Sequence, residues 1–158
     1  MTEKATLVVF SGELDKALSA FNIAIGAVAV GMEVSMFFTF WGLNIIKKNR
    51  GPVRSRGIIR KMLNIMNRGG PDRLPLSRFQ MLGLGKWLIG KLMRDAKFPS
   101  IDELVATAHE SGVKFIACTT SMGIMGISRE ALIPEVESLA GVATYLADAR
   151  EGKLNLFI

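Results

Sequence analysis

Cys118 is the one cysteine of this 158-residue chain, and its neighbours make it the residue best placed for chemistry. It follows a short apolar run at residues 113–117 and precedes three hydroxyl side chains at 119–121, after which a Gly- and Met-rich stretch begins. This order predicts a strand, a turn and the start of a helix, with the thiol at the carboxyl end of the strand. Backbone N–H groups and the helix dipole favour an anion there, so we expect them to stabilise a thiolate.

Two interpretations of Cys118 are open from spacing alone. Free cysteine often only fills space in a core, which would make the residue a packing side chain. Ligands of open α/β sheets bind beyond the carboxyl ends of the strands, which favours a reactive thiol instead. Thr119, Thr120 and Ser121 offer hydroxyls and amides at the same turn, where they either stabilise a thiolate or ligand, or only cap the helix.

A second turn, at Ser11 and Gly12, follows the first apolar run and would form another wall of a pocket shared with Cys118. It lacks the fuller glycine pattern of phosphate-binding loops, so a plain strand–helix turn is the alternative. His109 has no evident partner in the sequence, and we expect a histidine that lies on the surface or neutralises the helix dipole, rather than a Cys–His pair. One cysteine and one histidine exclude a disulfide framework and the usual Cys/His zinc site, and we expect no cofactor and no metal.

The charge of the chain is concentrated in its middle. Residues 47–97 hold 14 Lys or Arg but only two acids, and the totals of 20 and 14 leave 6 basic and 12 acidic residues elsewhere. The middle segment is therefore expected to present a positive surface to an anionic partner. The N-terminal residues lack the features of a secretory signal, so we expect a cytoplasmic location, where a lone thiol stays reduced.

The elements that must position Cys118 follow from the hydrophobic periodicity. The pattern predicts strands at 6–10, 32–40, 113–117, 136–139 and 154–158, and helices at 14–30, 42–48, 58–66, 81–94, 100–111, 130–133 and 141–149. Buried strands that alternate with helices are typical of a mainly parallel sheet with helices on both faces. We therefore predict one α/β domain of three layers over residues 1–158, with residues 47–97 as a basic helical insertion.

A membrane-spanning interpretation competes for the first half of the chain. Between Lys16 and Lys47 the only charged residue is Glu33, and this stretch is long enough to span a bilayer. Gly26, Gly31 and Glu33 divide it into a helix-sized and a strand-sized piece, which favours the α/β interpretation.

Four stretches of the sequence resemble a known family. They are residues 10–17, 37–43, 117–127 and 141–146, and together they are similar to the DsrE/DsrF-like family, in particular its longer DsrE-like branch, which often carries a peroxiredoxin-family label. The resemblance implies a DsrE/F/H-like fold related to flavodoxin-like sheets, and assembly into homo-oligomers, commonly trimers or hexamers. Better-studied relatives carry sulfur as a cysteine persulfide, and Cys118 matches the cysteine of this branch.

The sequence thus predicts a sulfurtransferase or sulfur carrier that holds sulfane sulfur as a persulfide on Cys118 and passes it to a sulfur-relay partner. An intramolecular resolving step is excluded, because there is no second cysteine. The alternative is a non-catalytic oligomeric binding module whose basic segment contacts an anionic ligand, a protein partner or, peripherally, a membrane surface. Nucleic acid is not an expected partner, because no aromatic interleaving or recognised nucleic-acid module accompanies the basic residues.

Overall fold

The computed structural model describes residues 3–48, 56–67 and 69–158. Five strands form one sheet in the order β4-β3-β2-β1-β5, and each neighbouring pair is parallel. The strands are β1 (Lys4–Val9), β2 (Glu33–Phe38), β3 (Lys114–Cys118), β4 (Val136–Ala140) and β5 (Gly152–Phe157). The α/β class and the parallel sheet predicted from the periodicity are confirmed.

Six α-helices lie within the described residues: α1 (Leu14–Ala29), α2 (Ile58–Met66), α3 (Leu84–Asp95), α4 (Ile101–Glu110), α5 (Thr119–Met125) and α6 (Val142–Glu151). The helix predicted at 42–48 is instead a short 3-10 turn, Phe40–Asn44, after which Lys47 forms an antiparallel bridge with Leu132. The helix predicted at 81–94 starts only at Leu84, because the chain passes through left-handed conformations at the two preceding residues. Residues 49–55 and 68 of the predicted insertion lie outside the described part of the chain.

The larger core lies between the sheet and the helices α1 and α4. Three of its rings, Phe21, Phe38 and Phe115, are fully buried, and Phe115 meets the other two edge-on at centroid distances of 5.8 and 5.6 Å. Aromatic pairs in this arrangement add to the stabilisation gained by burying their surface. This core fixes the positions of β2 and β3 relative to each other.

The opposite face of the sheet carries a much smaller cluster. It contains Val8, Phe37, Ile116 and Cys118, with Tyr145 of α6 packed against it. Successive side chains of a strand point to opposite faces, so Phe115 and Ala117 face α1 and α4 while Ile116 and Cys118 face α6. Helices thus lie on both faces, as the sequence predicts.

The apolar stretch between Lys16 and Lys47 is divided between α1 and β2. Phe21 and Ala24 of α1 are buried against the sheet, whereas Asn22 is exposed on the other side of the helix. In the part of the chain that the structure describes, no helix is both long and apolar enough to cross a membrane.

Candidate functional site

Cys118 is the last residue of β3 and immediately precedes α5, as the predicted strand, turn and helix require. Its position in the strand turns the side chain to the α6 face, in line with Ile116 and next to Ala140 of β4. Cys118 is only 5% exposed, but it borders an open cavity rather than packed side chains alone. The thiol is therefore covered by the protein and still reachable from one side.

The cavity beside Cys118 has a volume of about 500 Å³. Its apolar and aromatic walls come from β1, β2, β5, α6 and the Phe40–Asn44 turn: Val8, Phe37, Phe40, Val142, Tyr145, Leu156 and Phe157. Its polar lining consists of Thr39, Thr120, Ser121 and Asn155. None of these residues is charged, so the described lining suits an apolar or neutral group better than an ionic one.

Two sets of aromatic rings shape the cavity. Phe37 of the sheet and Tyr145 of α6 lie with ring centroids 5.2 Å apart. Phe10 lies between Phe40 and Phe157, at 5.6 and 5.7 Å. Phe157 is 71% exposed, so one wall of the cavity continues into an apolar outer surface.

A tight turn after β2 brings Thr39 and Phe40 to the cavity. The Thr39 amide donates to the carbonyl oxygen of Val9, 3.0 Å away, and Phe40 adopts a positive φ of 46°. At Gly42 an added Cβ would lie 1.9 Å from the same Val9 oxygen, so only glycine permits this close approach. The contact with β1 therefore holds the turn against the end of the sheet.

Polar groups of α5 and of Thr39, in the turn after β2, surround the sulfur. The hydroxyls of Thr39 and Ser121 lie 2.7 Å apart, and Ser121 is 1% exposed. Burial, the largest single influence, raises the pKa of the Cys118 thiol. The Ser121 amide and hydroxyl, the Thr39 hydroxyl and the Thr120 amide together outweigh it, so that the pKa lies below its ordinary value. The Cys118 side chain itself makes no capping hydrogen bond to the start of α5.

The structure brings together part of the predicted site. Thr120 and Ser121 line the cavity with Cys118, whereas Thr119 is exposed and lies outside the lining. Ser11 donates to the Glu13 carboxylate at 2.8 Å and accepts from the Glu13 amide at 3.3 Å.

Ser11 and Gly12 lie outside the cavity lining as well. Their turn packs on the Phe40–Asn44 turn, where a Cβ at Gly12 would lie 2.5 Å from the carbonyl oxygen of Trp41. The ring of His109 lies 6.0 Å from that of Phe115, on the face of the sheet opposite to Cys118. Among the described residues there is no group of three or more His, Cys, Asp or Glu side chains that could hold a metal ion.

Sequence reasoning missed Thr39, Tyr145 and Asn155. The sequence did carry a signal for Thr39, because this residue lies near the carboxyl end of the strand predicted at 32–40, and ligands of parallel sheets bind at such ends. Tyr145 and Asn155 had none, since they reach the cavity only through the way α6 and β5 pack beside β1.

Comparisons with known proteins agree with this architecture. A family model described as the DsrE/DsrF/DrsH-like family matches residues 1–157. The chain is 40% identical over 157 residues to the uncharacterised protein YrkE of Bacillus subtilis (strain 168), covering 99% of this chain and 98% of YrkE. It is 30% identical over 164 residues to the sulfur carrier protein DsrE2 of Allochromatium vinosum, covering 99% of this chain and 98% of that protein.

Two solved structures resemble the chain in fold. The ychN protein of E. coli matches with a TM-score of 0.61 at 11% identity, covering 99% of this chain and all of ychN. MTH1491 of Methanobacterium thermoautotrophicum, titled a protein of unknown function, matches with a TM-score of 0.57 at 11% identity, covering 99% of each chain. At this identity the likeness bears on the fold alone.

Proposed function

The chain belongs to the DsrE/DsrF/DrsH-like family, and from that membership and the Cys118 cavity we propose that it is a sulfur carrier which holds sulfane sulfur as a persulfide on Cys118. The family resemblance read from the sequence is thereby confirmed. The observation that carries the proposal is the setting of Cys118, a covered thiol whose pKa is lowered and which borders an uncharged cavity. A distant relative that is named a sulfur carrier supports the same role.

The loading step is a transfer of sulfane sulfur without net oxidation. The Cys118 thiolate attacks the outer sulfur of a donor persulfide, R–S–SH. A new S–S bond forms at Cys118, the donor S–S bond breaks, and the donor leaves as the thiolate RS⁻. The amides around the sulfur and one of the two hydroxyls favour the attacking thiolate, because they offer hydrogen-bond donors to its charge.

The cavity suits the product of this step. A persulfide extends beyond the thiol by one sulfur atom, and the cavity next to Cys118 has room for it. No Lys, Arg, Asp or Glu lines the described cavity, so the bound sulfur would meet rings and methyl groups rather than competing charges.

Unloading requires a second molecule. Cys118 is the only cysteine of the chain, so no internal thiol can attack the persulfide. We therefore propose a sulfur-relay protein or small thiol as the acceptor, in the cytoplasm, where Cys118 is kept reduced.

A homo-oligomer is part of the proposal, as a trimer or hexamer. It is supported by large apolar side chains left exposed on β5 and α6, two elements that border the cavity, namely Phe157 at 71%, Val142 at 58% and Leu146 at 52% exposure. Burial of such side chains between subunits is the usual way in which they leave water. Light scattering of the purified chain tests this, and the mass of a single subunit would contradict it.

The function is tested by loading the purified full chain with glutathione persulfide, removing the donor and measuring protein-bound sulfane sulfur as thiocyanate after reaction with cyanide. We expect one thiocyanate for each chain, and none from a Cys118→Ser variant. A Ser138→Ala variant is a matched control, since Ser138 is an exposed residue of β4 outside the cavity lining. Equal amounts of thiocyanate from the wild type and Cys118→Ser would show that Cys118 is not the carrier.

A further inference from the structure

The helix α2 presents its apolar side to solvent. Ile58, Ile59 and Met66 are 87%, 78% and 79% exposed. The residue that α2 buries is polar: Asn64 donates to the carbonyl oxygens of Met125, 2.8 Å away, and of Arg60, 3.0 Å away. An amphipathic helix of a globular protein normally buries its apolar side, so α2 is inverted relative to that rule.

The helix α3 and the loop before it repeat this pattern. Leu84, Trp87 and Leu88 are 57%, 59% and 50% exposed, and they share one side of the helix at helical spacing. In the loop, Phe79 is 79% exposed and Leu82 is fully exposed. We call these five residues the α3 surface.

The loop of the α3 surface is held in an unfavourable backbone conformation. Phe79, Met81 and Leu82 have φ values of 57°, 38° and 54°, a region that bulky side chains rarely adopt. The Phe79 carbonyl packs so closely on Gly85 that a Cβ there would lie 1.6 Å from its oxygen. Strain of this kind persists at functional positions, and here it presents large apolar side chains to the outside.

Basic residues accompany the exposed apolar ones. Residues 56–97 contain ten Lys or Arg and two acids. On α3, Lys91 is exposed within about one turn of Trp87 and Leu88, and Arg94 is exposed near the end of the helix. The one acid of the helix, Asp95, is its last residue. Apolar side chains, an indole and flanking basic groups on one helix are the features of helices that lie in a bilayer interface.

We propose that the α3 surface docks on an anionic lipid bilayer. The leucines and Phe79 would enter the boundary of the acyl chains, Trp87 would lie at the headgroup level, and Lys91 and Arg94 would contact lipid phosphates. Charge complementarity selects this occupant over an isologous contact with a second copy of the chain, because that contact would bring the same basic segment against itself. Nucleic acid would satisfy the charges but leave the apolar side chains against a polar backbone.

The proposal does not depend on Cys118. The α3 surface shares none of its residues with the cavity lining. A Cys118→Ser variant should therefore bind vesicles as the wild type does, so loss of sulfur carriage and loss of membrane docking are separate results.

Sedimentation of the full chain with lipid vesicles tests the docking. We expect binding to vesicles of phosphatidylcholine mixed with phosphatidylglycerol, little binding to pure phosphatidylcholine, and release when the salt concentration is raised. Lys91→Gln and Arg94→Gln should each weaken the partition about fivefold. Lys114→Gln is the matched control, since Lys114 is exposed at the start of β3, and it should bind as the wild type does.

The apolar contact has its own readout. In a Trp41→Phe background, Trp87 is the only tryptophan, and brominated lipids should quench its fluorescence in anionic vesicles. Leu88→Gln should reduce the quenching, whereas Val30→Gln, at a residue 78% exposed at the end of α1, should not. The proposal would be overturned if the chain bound equally to both kinds of vesicle, or if brominated lipids did not quench Trp87. It would also be overturned if the α3 variants bound as their control variants do. It would also fail if the chain bound no vesicle and Leu88→Gln lowered its oligomeric mass.

Discussion

Replacing Ser121 with alanine should raise the pKa of the Cys118 thiol. Ser121 is buried, its hydroxyl is hydrogen-bonded to Thr39 at 2.7 Å, and its hydroxyl and amide both favour the thiolate. The alanine keeps the amide and removes the hydroxyl, while burial of the sulfur continues to raise the pKa. The balance that now favours the thiolate should therefore move towards the neutral thiol.

The size of the effect follows from the geometry of the two hydroxyls. Each has a single proton, and at 2.7 Å one of them must donate to the other, so only one remains to donate to the sulfur. A hydrogen bond to a charged group contributes about 1.5–3 kcal/mol. The cavity opens to solvent and Thr39 can partly take over, so the lower end applies, which is about a tenfold loss of thiolate at pH values below the pKa.

The assay is alkylation of Cys118 with iodoacetamide across a pH series, which reports on a single site because the chain has one cysteine. A less acidic thiol gives a more reactive thiolate, with a Brønsted coefficient of about 0.4–0.5, so the rate at low pH should fall only about threefold. The midpoint of the rate profile is the direct readout. Ser138→Ala should leave that midpoint unchanged, and a midpoint that stays or falls in Ser121→Ala would refute the reasoning.

A double variant sharpens this prediction. If the Thr39 and Ser121 hydroxyls form one chain of hydrogen bonds to the sulfur, their effects on the thiol pKa should not add. The double variant Thr39→Val with Ser121→Ala should then move the midpoint of the pH–rate profile by less than the sum of the two single changes. Strict additivity would mean that the two hydroxyls act on the sulfur independently, against the 2.7 Å contact between them.

Three further predictions concern the elements that support the site. Gly42→Ala should lower the melting temperature and slow alkylation of the Cys118 thiol, because the added Cβ would lie 1.9 Å from the carbonyl oxygen of Val9. An unchanged melting temperature would contradict that close contact. Burial lowers the pKa of Lys47 from 10.5 to about 8, so the folded state favours the neutral amine and wild-type stability should rise with pH between these values. Lys47→Met should abolish this rise, which is at most about 3 kcal/mol, and urea unfolding at a series of pH values measures it. Ser100→Ala should lower the free energy of unfolding by about 1 kcal/mol, because it removes the capping box with Glu103, and chemical denaturation with an Ala control at the exposed Ser111 checks it.

Much of the fold was predictable because its signals are local. The apolar runs of β1 and β3 and the capping box at Ser100 each lie within a few residues of sequence. The parallel pairing of the strands follows from the alternation of strands and helices. The position of Cys118 at the end of β3 follows in the same way, since it depends only on where the apolar run ends.

The rest depended on packing that the sequence does not display. Whether Cys118 borders a cavity is decided by how α6 lies over the sheet, and α6 buries none of its own residues fully. The periodicity of α3 correctly indicates an amphipathic helix, but periodicity alone does not tell which side faces the protein. The turn at Ser11 and Gly12 lies at the expected end of the sheet, yet it packs on the Phe40–Asn44 turn and not on the cavity.

Intact-mass spectrometry of the full chain after exposure to glutathione persulfide tests the central claim most directly. The account predicts a gain of one or more sulfur atoms that maps to the peptide containing Cys118, disappears on reduction with dithiothreitol and is absent from Cys118→Ser. A wild-type mass that does not change, while the thiol still reacts with iodoacetamide, would contradict it, because an accessible and reactive Cys118 would then have failed to accept sulfur.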